Sequence, residues 1–200
     1  VNIYTLSPLD YQGTKVQMSQ GDYGASKVKL SQYSKLGDNV GLSLSGYYDR
    51  NNGFFTNEYT GTKADQEESA GGRLKLDWRI TDRLKATYNL NYDYVSQGAF
   101  PYGQYDPATG TVQPIRINDP SSYWRRMLNN SLSLEWKTNR FVLTSTTAYQ
   151  YLKDDMQMDQ DYTERSIFTL NQRQRQHAWS EELAIKSNTQ SNYQWSFGAY

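Results

Sequence analysis

The chain has 200 residues, with 21 basic and 21 acidic side chains that cancel to a formal net charge of zero, which leaves no basic stripe for nucleic acid. Mean hydropathy is −0.87 and only 36% of residues are hydrophobic, yet 14% are aromatic, with tyrosine at 18 copies, and a disordered chain would be poor in such rings. No cysteine is present, so disulfides and thiolate metal sites are excluded, and no apolar run approaches the roughly 18 residues of a membrane-crossing helix.

Strand-like runs follow one another along the chain. The first lies near 13–21, with Val16 and Met18 apolar, and a tight Gly21-Asp22-Tyr23-Gly24 connection leads to the second, near 25–35, with Val28 and Leu30. Leu36-Gly37-Asp38-Asn39 has strong turn chemistry and opens a third run near 40–50, where Val40, Leu42, Leu44 and Tyr48 alternate with Ser43, Ser45 and Asp49. After a long connection, 51–69, the fourth run sets Leu74, Leu76, Trp78 and Ile80 against Arg73, Lys75, Asp77 and Arg79. Thr81-Asp82 is the whole turn into the fifth, near 84–94. There Leu84, Ala86, Tyr88, Leu90, Tyr92 and Tyr94 share one face, and Lys85, Thr87, Asn89, Asn91 and Asp93 the other. A second long connection, 96–123, precedes the sixth run near 127–136, with Leu128, Leu132, Leu134 and Trp136 apolar. A short turn at 137–140 leads to the seventh, near 141–151, and a third long connection covers 152–170. The eighth run, near 172–187, carries Trp179, Leu183 and Ile185; the turn 188–192 leads to the ninth, from Tyr193, with Trp195, Phe197 and Ala199.

A side-chain period of two makes each run greasy on one face and wet on the other. Four charges on one face of the fourth run would be costly in a soluble core and suit a water-filled lumen. Long and short connections alternate, with the one after the first run as the exception. The fold class expected is therefore all-β: an antiparallel up-and-down meander, part of a transmembrane β-barrel whose short turns and long loops lie on opposite sides of the membrane. Gln32 and Glu181 fall on the apolar face, where a bulge or an interfacial depth is the expected explanation. Nine strands is an odd number, whereas bacterial single-chain barrels use even ones, so the chain reads as a piece of a larger barrel. It begins at Val1 inside a strand-like run, so its true start is expected elsewhere.

The segment Val1-Asn2-Ile3-Tyr4-Thr5-Leu6-Ser7-Pro8 resembles the end of the plug domain of TonB-dependent outer-membrane receptors. Leu36-Gly37-Asp38-Asn39 with the strand after it resembles their first periplasmic turn and third strand. Trp179-Ser180-Glu181-Glu182-Leu183 is similar to their "Q-E-L" strand, and Tyr193-Gln194-Trp195-Ser196-Phe197-Gly198-Ala199-Tyr200 to the "W-x-x-G-x-Y" strand that follows. The resemblance implies a plugged barrel of roughly 22 strands. Residues 1–10 would be the end of the plug and its linker, and 11–200 the first part of the barrel. The implied function is TonB-energised uptake of a scarce solute across the bacterial outer membrane, most often a ferric siderophore, with cobalamin, haem and oligosaccharides as the other classes. The implied partners are outer-membrane lipid, TonB through an N-terminal segment outside this chain, and the small-molecule cargo. The alternatives are a passive porin, a small structural or adhesive outer-membrane barrel, and a soluble β-rich carbohydrate-binding protein.

Candidate ligand-binding residues lie in the long loops. They are Phe54, Phe55 and Tyr59 in the first, and Phe100, Tyr102, Tyr105 and Arg116 in the second, which Pro101 and Pro107 restrict. Rings on a loop can stack on a planar ligand, and an arginine can add charge; the other role open to them is packing the loops together or joining an aromatic girdle. His177 is the only histidine and sits beside Arg173 and Arg175, a lumen or rim position on this reading. The stretch Asp154, Asp155, Asp159 and Asp161 lacks the calcium-loop spacing and reads as solvated outer loop. With no nucleophile–base pair, phosphate loop or metal-ligand set in view, the expectation is a non-enzyme without cofactor or metal.

Overall fold

The computed structural model describes residues 5–189 and 192–200. The quoted opening, residues 1–4, and part of the turn 188–192 lie outside the described residues. The strands are β1 Gly13–Gln20, β2 Ser26–Lys35, β3 Val40–Asn51, β4 Thr56–Asn57, β5 Thr62–Lys63, β6 Glu67–Arg79, β7 Leu84–Gln97, β8 Tyr105–Asp106, β9 Thr111–Val112, β10 Ser122–Lys137, β11 Phe141–Asp159, β12 Thr169–Ser187 and β13 Ser196–Ala199. Nine of them form one sheet in the order β1-β2-β3-β6-β7-β10-β11-β12-β13, while β4-β5 and β8-β9 are separate hairpins inside the outer connections. Every neighbouring pair in the large sheet is antiparallel. The all-β, up-and-down meander is therefore the observed fold.

Each of the nine runs read from sequence has its strand, but the outer ends extend further. β10 starts at Ser122, β11 continues to Asp159 and β12 starts at Thr169. Asp154, Asp155 and Asp159 thus belong to a strand and not to a solvated loop, and Asp154 and Asp159 are buried. Asp159 is satisfied there by accepting from the Asp119 amide at 3.2 Å and the Tyr162 amide at 3.0 Å.

The distribution of exposure is inverted relative to a soluble sheet. Val16, Met18, Val28, Leu30, Leu44, Trp78, Tyr92, Leu132, Leu134, Trp136, Trp179, Leu183 and Phe197 share one face and are exposed. The opposite face holds the buried Ser31, Lys75 and Asp77. A contiguous exposed apolar face of this extent marks a surface that meets lipid or another protein, and alternation of greasy-out with polar-in is the pattern of a barrel wall in lipid. The polar face is accordingly called inner below.

Register is unbroken through Gln32 and Glu181, so neither polar residue on the outer face marks a bulge. Local pairing takes its place: Gln32 accepts from Thr14 and donates to Ser34. The Glu181 carboxylate accepts from Ser145 at 2.7 Å and from Thr147. His177, Arg173 and Arg175 also lie on the outer face, in register with Tyr151, Asp155 and Lys153, which rules out the lumen for all three.

The segment 5–12 lies on the inner wall. Ser7 Oγ donates to Asp77 at 2.6 Å, and Lys75 Nζ donates to Thr5 Oγ1 at 3.2 Å and to the Leu6 carbonyl at 3.4 Å. Asp77 also faces Lys75 and Lys85 ammoniums, each at 3.6 Å. Gly41 permits the approach: a Cβ there would stand 2.7 Å from the Leu9 amide nitrogen and the Pro8 carbonyl carbon.

Candidate functional site

At one end of the sheet, three connections lock into a canopy: 52–66, 98–121 and 160–168. Each has internal order of its own. In the first, Asp65 accepts from the Phe54 and Phe55 amides at 2.9 Å, and Gly53, at φ +90, leaves room for that carboxylate. In the second, Asp106 accepts from the Ala108 amide at 2.8 Å. That bond, with help from Thr109, holds the carboxyl below its usual value. In the third, Asp161 accepts from the Thr163 hydroxyl and from the Thr163, Ile167 and Phe168 amides, and this donor set, led by the hydroxyl, pulls its pKa down.

The connections then bond to one another. Asn57 donates to the Ile117 carbonyl at 2.7 Å in a buried position, and the Glu58 amide donates to the Ile115 carbonyl at 2.8 Å. Gln104 donates to the Asp161 carbonyl at 3.2 Å, and Asn118 to Ser166 at 2.8 Å. Arg116 pairs with Glu58 at 3.6 Å and with Glu164 through Nε, so one guanidinium ties all three connections. Ala99, Ile115, Ile117 and Met158 are buried beneath.

Two adjoining cavities open among these connections. One, of about 510 Å³, is lined mainly by apolar groups: Phe55, Pro101, Tyr102, Val112, Pro114 and Ile115. The other, of about 440 Å³, is lined by Gln104, Gln113, Arg116, Tyr162, Glu164 and Arg165 among others. Both sizes suit a small molecule. Tyr102 stacks edge-on against Tyr162 at 5.6 Å, which joins the walls of the two cavities.

Of the residues singled out from sequence, the structure brings Phe55 and Tyr102 to the apolar cavity and Arg116 to the polar one. Phe54 packs on Tyr23 at 4.9 Å, and Phe100 on Tyr123 at 6.2 Å. Tyr59 and Tyr105 lie exposed on the first and second connections. The charge of Arg116 is spent on two carboxylates. Arg165 lines the same cavity and, among the described residues, pairs with no carboxylate. Sequence reasoning passed over Arg165, Ile115, Val112 and Tyr162. Pro114-Ile115-Arg116 in the middle of a polar loop was the available signal for Ile115. Among the described residues no group of three or more His, Asp or Glu is placed to hold a metal ion.

No protein-family model and no curated protein matches the chain. Solved structures do. The ferric yersiniabactin uptake receptor FyuA from Yersinia pestis superposes with a TM-score of 0.77 at 15% identity, over 94% of this chain and 30% of that one. The siderophore receptor PiuA from Acinetobacter baumannii gives 0.71 at 12% identity, over 90% of this chain and 28% of that one. The ferric-catecholate import receptor Fiu from E. coli K12, in its closed form, gives 0.59 at 11% identity, over 88% of this chain and 28% of that one. The chain has the fold of a stretch of these receptors and spans about 30% of the length of FyuA.

Proposed function

We propose that the chain is the N-terminal part of the barrel of a TonB-dependent outer-membrane receptor. It takes up a scarce solute, with a ferric siderophore as the first choice, and performs no covalent chemistry. Segment 5–12 is then the linker leaving a plug, and the canopy is the outward face that captures cargo. The observation that carries a receptor over a porin is that segment pinned to the inner wall by Asp77 and Lys75, because an open pore needs nothing tethered inside. The fold shared with three siderophore receptors supports the cargo class.

The cavities divide the recognition. Phe55 and Tyr102 supply faces for a planar aromatic group, worth about 0.5–1.5 kcal/mol per ring pair beyond burial. Arg165, not the neutralised Arg116, supplies charge for an anionic complex. The test is energised uptake of a radiolabelled ferric catecholate by cells carrying the whole protein, with and without TonB. Uptake that needs TonB, and falls about tenfold or more in F55A/Y102A as two ring contacts are lost, supports the reading. Conductance in planar bilayers without any TonB requirement would instead assign a porin.

A further inference from the structure

Three cations stand side by side on the outer face. Arg126 of β10 is opposite Lys153 of β11, and Lys153 is opposite Arg175 of β12. Like charges directly opposite across antiparallel strands destabilise the sheet. Among the described residues, none of the three pairs with a carboxylate. One row further out, Asp155 is taken by Arg173 at 2.8 Å. The Arg126 guanidinium lies 5.4 Å from the Trp124 ring and 5.8 Å from that of Tyr94, and the Lys153 ammonium lies 5.4 Å from Trp124. These contacts hold two cations over one indole without neutralising either.

The position of the row identifies what does. On its membrane side the outer face carries Tyr92, Leu128 and Tyr151 in register, then the exposed leucines. On its other side it carries Asp155, Gln157 and Asp159 along β11. The row therefore sits where lipid gives way to water, beside tyrosine and tryptophan rings that favour that layer. It faces away from the inner wall, out of reach of cargo in the lumen. We infer that Arg126, Lys153 and Arg175 seat the phosphate of an anionic lipid headgroup. This rests on the barrel reading above. Each cation near an anionic surface strengthens binding about fivefold, so the row strengthens it on the order of a hundredfold.

The test uses the whole protein in non-ionic detergent, titrated with dioleoyl phosphatidylglycerol and followed by native mass spectrometry. Dioleoyl phosphatidylcholine is the zwitterionic control and inorganic phosphate the free-anion control. R126Q/K153Q/R175Q is expected to bind phosphatidylglycerol on the order of a hundredfold more weakly than the parent, with phosphatidylcholine unable to tell them apart and inorganic phosphate unable to displace the lipid. K153Q alone, expected to lose about fivefold, carries the same comparison if the triple variant does not insert. Equal phosphatidylglycerol binding by parent and variant overturns the inference, as does displacement by inorganic phosphate. Outer-membrane fractionation separates the two levels. If the parent integrates and the variants bind lipid as it does, the headgroup site is wrong and the barrel stands. If the parent does not integrate, both are overturned.

Discussion

Asp77 is the residue whose loss tests how segment 5–12 is held. Its side chain is fully buried on the inner wall, accepts hydroxyl bonds from Ser7 at 2.6 Å and Thr87 at 2.8 Å, and faces two ammoniums at 3.6 Å. Lys85 is 41% exposed, so its attraction is screened to at most about 1 kcal/mol. Lys75 is only 11% exposed, and breaking a buried pair by removing one partner costs about 3–5 kcal/mol. In D77N the amide nitrogen also cannot accept from a hydroxyl, a loss of about 1 kcal/mol. Lys75 repositions once uncompensated, and its bonds to Thr5 and Leu6 go with it. The segment is then expected to open more easily by about 3 kcal/mol, a drop in amide protection on the order of a hundredfold. Hydrogen exchange read by mass spectrometry on peptides covering 5–12 of the whole protein is the assay. K75M/D77L, which removes both charges, is expected to recover most of the global stability while the segment stays loose. A protection loss under about threefold in D77N, less than 1 kcal/mol, would refute the reasoning and return the anchoring role to Pro8 and Leu9 packing on Gly41.

The remaining predictions concern the canopy and the lipid face. Asp161 is held below the ordinary carboxylate value of 3.8 by its hydroxyl and amide donors. A depressed carboxylate adds stability that is fully present above its unfolded pKa and is lost as pH falls through the folded one. Exchange protection of the Ile167 and Phe168 amides should therefore be unchanged from pH 7 to pH 5 and collapse only below pH 3.8; loss already at pH 5 would contradict it. In G98V the new Cβ would lie 1.9 Å from the Ala64 carbonyl oxygen. This should separate the first two connections and cut cargo affinity while leaving outer-membrane insertion intact; unchanged affinity would sever the canopy from cargo capture. E181L/T147V replaces a paired carboxylate on the lipid face by apolar groups. It should raise the urea midpoint of refolding into vesicles without changing the slope, whereas a lowered midpoint would mean that the acid is required where it stands.

The strands were legible because their alternation is regular where lipid lies on one side, with paired exceptions such as Gln32 and Glu181. In Leu84 to Tyr94, every even position carries an apolar or aromatic group and every odd one a polar group, and the pairing follows that division without a slip. Legibility ended where the alternation ended. Beyond Tyr151 the alternation changes phase: Leu152, Met156 and Met158 fall on the inner face, interrupted by Asp154, and Lys153, Asp155, Gln157 and Asp159 on the outer one. The stretch breaks the pattern set by Leu143 to Tyr151, and its continuity with that strand is visible only through register with β10 and β12. The hairpins β4-β5 and β8-β9 are only two residues per arm, too short for a pattern. For the candidate site, aromatic content pointed to loops that hold cavities, but the direction of a ring on a loop depends on contacts between residues far apart in sequence, such as Asn57 with Ile117, 60 residues on. Neighbouring rings accordingly separated, Phe55 into a cavity and Phe54 onto Tyr23.

Strand length and face chemistry together divide the sheet into two working parts. A barrel strand crosses a bilayer in roughly 9–11 residues, yet β11 and β12 are each 19 residues long. On β12 the apolar outer face runs from Ile185 to Trp179 with Glu181 as its interruption, and ends at His177. On β11 it runs from Leu143 to Tyr151, interrupted by Ser145 and Thr147 opposite Leu183 and Glu181, and on β10 from Trp136 to Leu128, interrupted by Asn130. All three end at the row of Arg126, Lys153 and Arg175, and beyond that row the outer face turns polar on β11 and β12. The lower part of each strand is thus long enough to cross lipid and no longer, and the upper part is a water-exposed extension of the same sheet. The canopy is built on that extension: Asp159, at its outer edge, binds both the 98–121 and the 160–168 connections, its amide donating to Ser121 Oγ and its carboxylate accepting from the Asp119 and Tyr162 amides. If the canopy captures cargo as proposed, a site assembled on rigid strands that project beyond the apolar band keeps its geometry without help from lipid. If the charged row seats a lipid phosphate as proposed, it fixes the height at which that platform stands.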